Sequence, residues 1–375
     1  MSAEAAVSIK PKRKIRHLGI LTGGGDCPGL NAVIRGAVLT AAREGVRMTG
    51  IRNAFGGLLH KSYVQLEPET VEDLLQRGGT YLGSSNRDNP FAYPMSIDGQ
   101  QRVVDVSDTI LANFREMGLD GLIAVGGDGT LAITYGLTQK GLPAICVPKP
   151  IDNDLLATDV TFGFDTAVGT ATEAIDRIRT TAESHGRLMV VEVMGRNAGW
   201  IALFSGLSGG ADVILLPEIP FSIEAITAKI REDRAGGKNF SLIVVAEGAH
   251  IKGQDVVVKA LVNDPTEPRR LGGIGNLVGQ LLEEATGIET RVTILGHIQR
   301  GGTPSTYDRN LSTRFGVHAA LNAMAGNFGN LVALRHGAIA LVPLGDAAKG
   351  QRLVPLDSDF ILVGRSVGIS FGDDE

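Results

Sequence analysis

Residues 19–30 read GILTGGGDCPGL, where an apolar run meets a glycine-rich turn just before a helical pattern begins. The run has the length of a buried strand, and the pattern after Gly29 keeps apolar residues on one face as far as Glu44, with Gly45 as a stop. Glycine allows both a tight turn and a close approach of the backbone to a ligand. A strand, a turn and a helix in this order predict the first unit of an α/β fold.

The same order of apolar run and polar turn recurs along the chain. Four further runs end in glycines and charged residues: 122–130 (LIAVGGDGT), 144–154 (AICVPKPIDND), 189–196 (MVVEVMGR) and 292–302 (VTILGHIQRGG). Helical patterns over 130–140, 165–184 and 223–235 alternate with strand patterns, which predicts parallel sheets with right-handed crossovers. Because ligands bind beyond the carboxyl ends of such strands, these turns are expected to converge on one site.

The length of 375 residues exceeds what one hydrophobic core usually supports. An apolar content of 43% with 21% charged residues is ordinary for proteins with packed cores. We therefore expect two Rossmann-like, three-layer α/β/α domains with mainly parallel sheets, and an active site in the cleft between them.

Charge and composition argue against several classes of protein. The net charge of −5 does not suit a nucleic-acid platform, and no apolar stretch approaches the ~20 residues that span a bilayer. Residues 1–14 carry basic side chains without the apolar core of a signal peptide, which favours a solvated basic tail. Cys27 and Cys146 lack the spacing of a zinc site or a disulfide framework, so a cytoplasmic location is expected.

Two of the glycine turns suit phosphate groups. The turn 23–26 (GGGD) offers backbone N–H groups and the positive end of a helix dipole to an anion, and a merely tight turn is the alternative. It matches neither the P-loop nor the dinucleotide fingerprint. In the turn 126–130, Asp128 can reach a magnesium ion on phosphates while Gly129 leaves room for the phosphate chain.

Acidic and basic side chains complete the predicted site. Asp152 and Asp154 place two carboxylates at a strand end, which is costly unless a cation or a proton-transfer role separates their pKa values. They indicate a general base with a metal or an orienting partner, and a solvated acidic turn is the alternative. The arginines able to grip phosphate around a shared crevice are Arg187, Arg196, Arg291 and Arg300.

Six segments, taken in order, closely resemble the 6-phosphofructokinases. They are 22–31 (TGGGDCPGLN), 77–80 (RGGT), 126–130 (GGDGT), 148–154 (PKPIDND), 191–196 (VEVMGR) and 295–302 (LGHIQRGG). The resemblance extends from about Arg16 to about Tyr307. It implies Mg²⁺-dependent transfer of a phosphoryl group from ATP to the C1 hydroxyl of fructose 6-phosphate, giving fructose 1,6-bisphosphate. It also implies a homodimer or homotetramer with shared active sites and no nucleic-acid or membrane partner.

The resemblance assigns roles residue by residue. The catalytic residues it implies are Asp152 as the base, Asp154 as its support, and Arg196 and the Gly25 N–H as groups that stabilise the transferring phosphoryl. The donor-binding positions are Gly24, Gly25, Phe55, Arg87, Gly127, Asp128, Gly129, Thr130 and Lys149, with Asp128 linked to magnesium. The sugar-phosphate positions are Ile151, Asp152, Arg187, Met194, Gly195, Arg196, Glu247, Arg291, His297 and Arg300. Arg187 and Arg291 match arginines that the family supplies from a neighbouring subunit.

The same resemblance predicts where the domains lie. Residues 15–163 with 299–349 are expected to form the phosphoryl-donor domain, and 164–298 with 350–375 the fructose 6-phosphate domain. Departures from the family pattern occur at Pro150 in place of threonine, at Asn86 where many members have arginine, and at Leu39 in the bacterial effector site. The last of these removes the basis for predicting the effectors.

Two positions that separate ATP users from pyrophosphate users disagree. Gly129 is typical of the ATP class, whereas Lys149 is typical of the pyrophosphate class. An aspartate at position 129 would meet the α-phosphate of a nucleotide sterically and by like charge, while lysine suits either donor, so ATP is favoured. A pyrophosphate-dependent enzyme stays an alternative, as do an NAD- or lipid-kinase type of enzyme and a non-catalytic sugar-phosphate sensor on the same scaffold.

Overall fold

The computed structural model describes residues 14–97, 99–261 and 269–374, so the predicted tail lies outside the described residues except for Lys14. The strands are His17–Thr22 (β1), Arg47–Ile51 (β2), Tyr63–Leu66 (β3), Tyr93–Ile97 (β4), Gln100–Val104 (β5), Gly121–Gly126 (β6), Ala144–Pro148 (β7), Leu188–Val193 (β8), Val213–Leu215 (β9), Ser241–Ala246 (β10), Val258–Leu261 (β11), Arg269–Leu271 (β12), Thr290–Ile294 (β13), Asn330–Arg335 (β14) and Ala338–Pro343 (β15). The α-helices are Leu30–Arg43 (α1), Ala54–Leu59 (α2), Ser107–Glu116 (α3), Asp128–Gln139 (α4), Phe164–His185 (α5), Trp200–Ser208 (α6), Ile223–Ala235 (α7), Ile274–Thr286 (α8), Thr306–Met324 (α9), Leu344–Ala347 (α10) and Asp359–Ser366 (α11). Short 3₁₀ turns cover Pro68–Leu74 and Gly296–Arg300.

The predicted strand–turn–helix units are present with small shifts at their ends. Helix α1 ends at Arg43, and α7 covers the predicted range. Helix α4 begins two residues before its predicted start, because Gly127 occupies the N-cap and Asp128 becomes the first helical residue. A carboxylate in the first turn is favoured by the helix dipole.

The chain is divided into two compact units. The first comprises Met1–Ile151, Leu155–Asp165 and Arg300–Gln351. Its seven-stranded sheet has the order β15-β14-β7-β6-β1-β2-β3, parallel from β14 to β2, with antiparallel strands at both edges. Strands β1, β6 and β7 are buried along their whole length, which explains why they are continuous apolar runs in the sequence.

The second unit comprises Asp152–Asp154, Thr166–Gln299 and Arg352–Glu375. Its sheet has the order β13-β8-β10-β9, and all of its pairs are parallel. Apolar side chains of β8, β9 and β10 pack with those of α7 and α8 in one core. The segment Asp152–Asp154, which was expected in the donor domain, instead contacts Arg352: the Arg352 N–H donates to the Asp154 carbonyl over 2.7 Å.

Two mainly parallel sheets confirm the predicted α/β class. The antiparallel hairpins β4–β5, β11–β12 and β14–β15 were not predicted from the sequence. None of the helices within the described residues is long and apolar enough to cross a lipid bilayer.

Candidate active site

In the first unit, the turn after β1 holds its glycines in a defined conformation. The Gly23 N–H donates to the Val125 carbonyl and the Gly24 N–H to the Ser85 carbonyl, each over 2.9 Å. Gly24 has φ +76°, a left-handed conformation that favours glycine. Gly25 is exposed. An Arg300 Nη donates to the Asp26 carbonyl over 3.4 Å, so this predicted sugar-phosphate residue lies beside the glycine turn.

The turn after β6 presents Asp128 at the start of α4. One Asp128 carboxylate oxygen accepts the Gly129 N–H over 2.7 Å, and the other lies 3.2 Å from Nε2 of Gln351. The Asp128 and Gly129 positions are both exposed. A Cβ added at Gly129 would meet no atom within 4 Å. Packing therefore does not require glycine at position 129, and the open space there is available to a ligand.

Lys149 follows β7 and is only 3% exposed. Its ammonium donates to the Gly23 carbonyl over 2.8 Å and also to the Gly25 carbonyl. Its backbone N–H donates to the Gly126 carbonyl over 3.1 Å. The structure thus brings the three predicted donor-side turns together at one edge of the seven-stranded sheet.

Some predicted donor and sugar positions are packing positions. Phe55 is 2% exposed within the apolar core of the first unit, and Ile151 is fully buried. The structure shows a packing role for the Phe55 ring, and its predicted donor contact stays a prediction. Arg87 is exposed, and its backbone N–H donates to the Ser85 hydroxyl over 3.2 Å.

In the second unit, several predicted residues meet at the carboxyl edge of the sheet. Met194, Gly195 and Arg196 follow β8, Glu247 follows β10 and His297 follows β13. The Glu247 N–H donates to the Val193 carbonyl over 2.9 Å, and the Met194 N–H to Oε1 of Gln299 over 3.3 Å. Gly195 has φ +138°, and a Cβ there would lie 2.8 Å from the Ala198 carbonyl, so glycine is required.

The acidic segment Asp152–Asp154 is held by Arg352, a contact that the sequence did not predict. Asn153 has φ +54°, and Asp154 is 8% exposed. Arg352 donates through its backbone to Asp154 and, over 3.3 Å, through Nε to the Asn153 carbonyl. The Arg352 guanidinium lies 4.6 Å from the Trp200 ring centroid. No sequence signal pointed to Gln351 or Arg352, because both lie beyond the segments that carry the resemblance.

Arg187 and Arg291 lie at the opposite, amino edge of the same sheet. Arg187 immediately precedes β8, and Arg291 is the second residue of β13. Arg187 Nε is 2.7 Å from Oε2 of Glu289, and Arg291 pairs with the other oxygen of that carboxylate. The hydrogen bond from Arg187 is the main cause that lowers the pKa of Glu289. Arg187 and Arg291 therefore lie at the edge of the sheet opposite to Arg196. The expectation that all four arginines surround one crevice is wrong within a single chain.

The residues present fit a magnesium ion carried mainly by substrate. In the described parts of the chain, no group of three or more His, Cys, Asp or Glu side chains could hold a metal ion. Mg²⁺ usually keeps several waters and is bound by one or two carboxylates with substrate phosphates, and the exposed Asp128 carboxylate suits that role. Cys27 and Cys146 are free and buried, and burial raises the pKa of each thiol to about 12, so neither is a thiolate nucleophile at neutral pH.

Known proteins match this chain over most of its length. The family model described as phosphofructokinase matches residues 17–323. An ATP-dependent 6-phosphofructokinase 2 of Clostridium perfringens is 50% identical, over 96% of this chain and 99% of that protein. A pyrophosphate–fructose 6-phosphate 1-phosphotransferase of Streptomyces coelicolor is 48% identical, over 95% of this chain and 99% of that protein.

A solved structure agrees with the sequence matches. The crystal structure of Pichia pastoris phosphofructokinase has a TM-score of 0.77 and 28% identity, and the match covers 90% of this chain but 36% of that one. The family model spans well over half of the chain, and close relatives align almost end to end. The six sequence motifs, the two mainly parallel sheets and these matches agree, and the chain belongs to the phosphofructokinase family.

Proposed function

We propose that this chain is a 6-phosphofructokinase that transfers a phosphoryl group from ATP to the C1 hydroxyl of fructose 6-phosphate. The observation that carries the proposal is the placement of the motif residues. In each unit, glycine turns and charged side chains of the family motifs gather at the carboxyl edge of a parallel sheet, where α/β proteins bind ligands. The names of the relatives supply the substrates.

The proposed chemistry needs positioning and charge neutralisation more than covalent catalysis. Asp152 takes the proton of the C1 hydroxyl, and Asp154 supports it. Arg196 and the Gly25 N–H stabilise charge on the transferring phosphoryl group. His297, Glu247 and Met194 contact the sugar phosphate.

Asp128 is the proposed residue toward Mg²⁺. When bound, the ion neutralises charge on the phosphates of the donor. The Gly129 N–H and the Gln351 amide, which lie against the two Asp128 oxygens, hold this carboxylate in one orientation. Only one protein carboxylate is then needed, because substrate phosphates supply further oxygen ligands.

The two edges of the second sheet support the proposal of a shared active site. Strand β8 has 6 residues, which separates its first and last residues by about 17 Å at ~3.3 Å per residue, and Arg187 and Arg196 lie beyond its two ends. Arg187 and Arg291 therefore cannot grip the same phosphate as Arg196 of their own chain, and we propose that they serve the site of a neighbouring subunit in a homodimer or homotetramer. A cytoplasmic location agrees with two free, buried cysteines.

The donor is proposed to be ATP because position 129 is open. Glycine there is not demanded by packing, so the space serves the ligand. The runner-up is pyrophosphate, which is favoured by Lys149 and by the name of the Streptomyces coelicolor relative.

Parallel assays with the two donors test this proposal. Purified protein with fructose 6-phosphate and Mg²⁺ should turn over with ATP at a higher kcat/KM than with pyrophosphate. Gly129→Asp should lower kcat/KM for ATP by at least ~10²-fold through repulsion of the α-phosphate, while pyrophosphate use is spared or appears.

The matched control is Gly169→Asp, which adds the same carboxylate to another exposed helical glycine with nothing within 4 Å of a Cβ. It should leave both donors unchanged. A wild type that prefers pyrophosphate would overturn the donor assignment. Saturable binding of fructose 6-phosphate with no turnover from either donor would favour the sensor alternative.

A further inference from the structure

The carbonyl groups of the turn after β1 point toward two side chains. The Lys149 ammonium donates to the carbonyls of Gly23 and Gly25, and the Ser84 hydroxyl donates to the carbonyl of Gly24 between them. Lys149 is 3% exposed, and its bond to the Gly23 carbonyl is buried, whereas the bonds to the Gly24 and Gly25 carbonyls are partly buried. Three successive peptide groups of the turn are therefore held by side chains from elsewhere in the first unit.

Because each peptide group is planar, fixing its carbonyl also fixes the direction of its N–H group. In a trans peptide the carbonyl of one residue and the N–H of the next point in opposite directions. Fixing the carbonyls of Gly24 and Gly25 thus aims the N–H groups of Gly25 and Asp26 away from Ser84 and Lys149. Successive N–H groups in a turn with a left-handed residue, here Gly24 at φ +76°, form an anion-binding concavity.

The position of the ammonium also explains how lysine at position 149 can occur together with glycine at position 129. The Lys149 charge would lie on the carbonyl side of the turn and act through the peptide dipoles, rather than as a free cation in the donor site. A buried ammonium is costly unless its hydrogen bonds are satisfied, and the Gly23 carbonyl at 2.8 Å is one of its acceptors. A Cβ at Gly24 would lie 3.0 Å from Nζ, so the turn and the lysine fit closely.

We propose that Lys149 and Ser84 are positioning residues that orient the glycine turn for the transferring phosphoryl group, and that Lys149 does not itself select the donor. This inference rests on the proposed function in one respect, that the turn binds phosphate. The orientation of the turn by Lys149 and Ser84 does not depend on any activity of the protein and can be tested without one.

Three variants test the proposal: Lys149→Met, which keeps the length of the side chain and removes its donors, Ser84→Ala, and the double variant. Each single variant should lower kcat by ~10-fold or more with a smaller change in KM for fructose 6-phosphate, since oriented N–H groups act on the transition state. The double variant should lose less than the product of the two, because both side chains hold one turn.

Hydrogen–deuterium exchange supplies a readout that does not depend on turnover. Peptides within residues 22–28 that contain the Gly23 and Gly24 amides should exchange at least ~10-fold faster in both single variants, because a turn released at its carbonyls opens the hydrogen bonds that these N–H groups donate to the Val125 and Ser85 carbonyls. Lys140→Met is the matched control: this exposed lysine of the same unit donates to the Ser107 hydroxyl over 2.6 Å, far from the turn in sequence. It should change neither measurement.

The outcomes separate a positioning lysine from a donor contact. A kcat loss in Lys149→Met with unchanged exchange at 22–28, and a normal Ser84→Ala enzyme, would overturn the proposal in favour of direct contact. Unchanged exchange and unchanged kcat in both variants would overturn it outright. If the wild type transfers no phosphoryl group from either donor, the proposed function fails while the exchange data still decide whether these side chains hold the turn.

Discussion

The two edges of the four-stranded sheet in the second unit carry different kinds of charged residue. At the carboxyl edge, Arg196, Glu247 and His297 stand on turns that backbone hydrogen bonds fix. At the amino edge, Arg187 and Arg291 share the half-buried carboxylate of Glu289. The first set lies on loops that follow strands, whereas the second lies where two strands begin and pairs with one carboxylate.

The difference between the two edges is the reason for proposing a site that is shared between chains. The rule that ligands bind at carboxyl ends of parallel strands accounts for the first set. It leaves Arg187 and Arg291 without a ligand in their own chain. The proposed symmetric oligomer would supply that ligand, because a two-fold interface would place the amino edge of each chain against the carboxyl edge of its partner.

The largest expected effect is at Asp152, the proposed base. Asp152→Asn removes the proton acceptor while keeping the shape of the side chain, so kcat should fall by at least ~10²-fold with little change in sugar binding. Steady-state kinetics and a fructose 6-phosphate titration measure both quantities. Asp357→Asn, at an exposed position, is the control that should behave as the wild type. Near-normal kcat in Asp152→Asn would remove this residue from the mechanism.

Complementation between subunits tests whether the two edges of the second sheet serve one site formed by two chains. Arg291→Ala should raise KM for fructose 6-phosphate by ~10-fold or more, since it removes a charge-assisted phosphate contact. If that contact crosses an interface, mixing Arg291→Ala with Asp152→Asn chains should restore full catalysis in about a quarter of the sites after random exchange in a dimer.

Subunit exchange in that mixture is verified by mass spectrometry of differently labelled chains. Arg335→Ala, at an exposed arginine of the first unit, should leave KM for fructose 6-phosphate unchanged. The Arg335 side chain should not be needed for recovery in the mixture. Verified exchange without any recovery would mean that each chain builds its site alone, and the contrast between the two edges would lose its functional meaning.

The sequence predicted most of what parallel strands dictate. Continuous apolar runs at β1, β6 and β8 followed by glycines indicated both the sheet and the turns, because burial on two faces and tight connections each leave a local mark in the sequence. Helix α4 began earlier than expected because an N-cap glycine looks like part of the preceding turn.

Contacts distant in sequence could not be predicted in the same way. Gln351 lies against Asp128 across 223 positions, and Lys149 bonds to Gly23 across 126. Nothing local marks a glutamine or a buried lysine as the partner of a particular turn. The edge on which Arg187 and Arg291 lie was marked locally, because each arginine precedes its apolar run and so belongs at the amino end of a strand; the expectation of one crevice overlooked this.

The smallest effect is expected at Glu289, which lies between the two arginines of the amino edge. Because folding lowers the pKa of Glu289, any stabilisation from its ion pairs is present above the pKa of the unfolded chain and is lost as pH falls through the pKa of the folded protein. The carboxylate is therefore charged throughout neutral pH. A phosphate must then compete with it for the guanidinium groups. Glu289→Gln should lower KM for fructose 6-phosphate by only ~2- to 3-fold, since exposed ion pairs contribute little, and leave kcat and the pH–rate profile between about pH 6 and 8 unchanged. A raised KM would instead mean that Glu289 orients the arginines, and no change at all would argue that this edge stays away from the sugar phosphate.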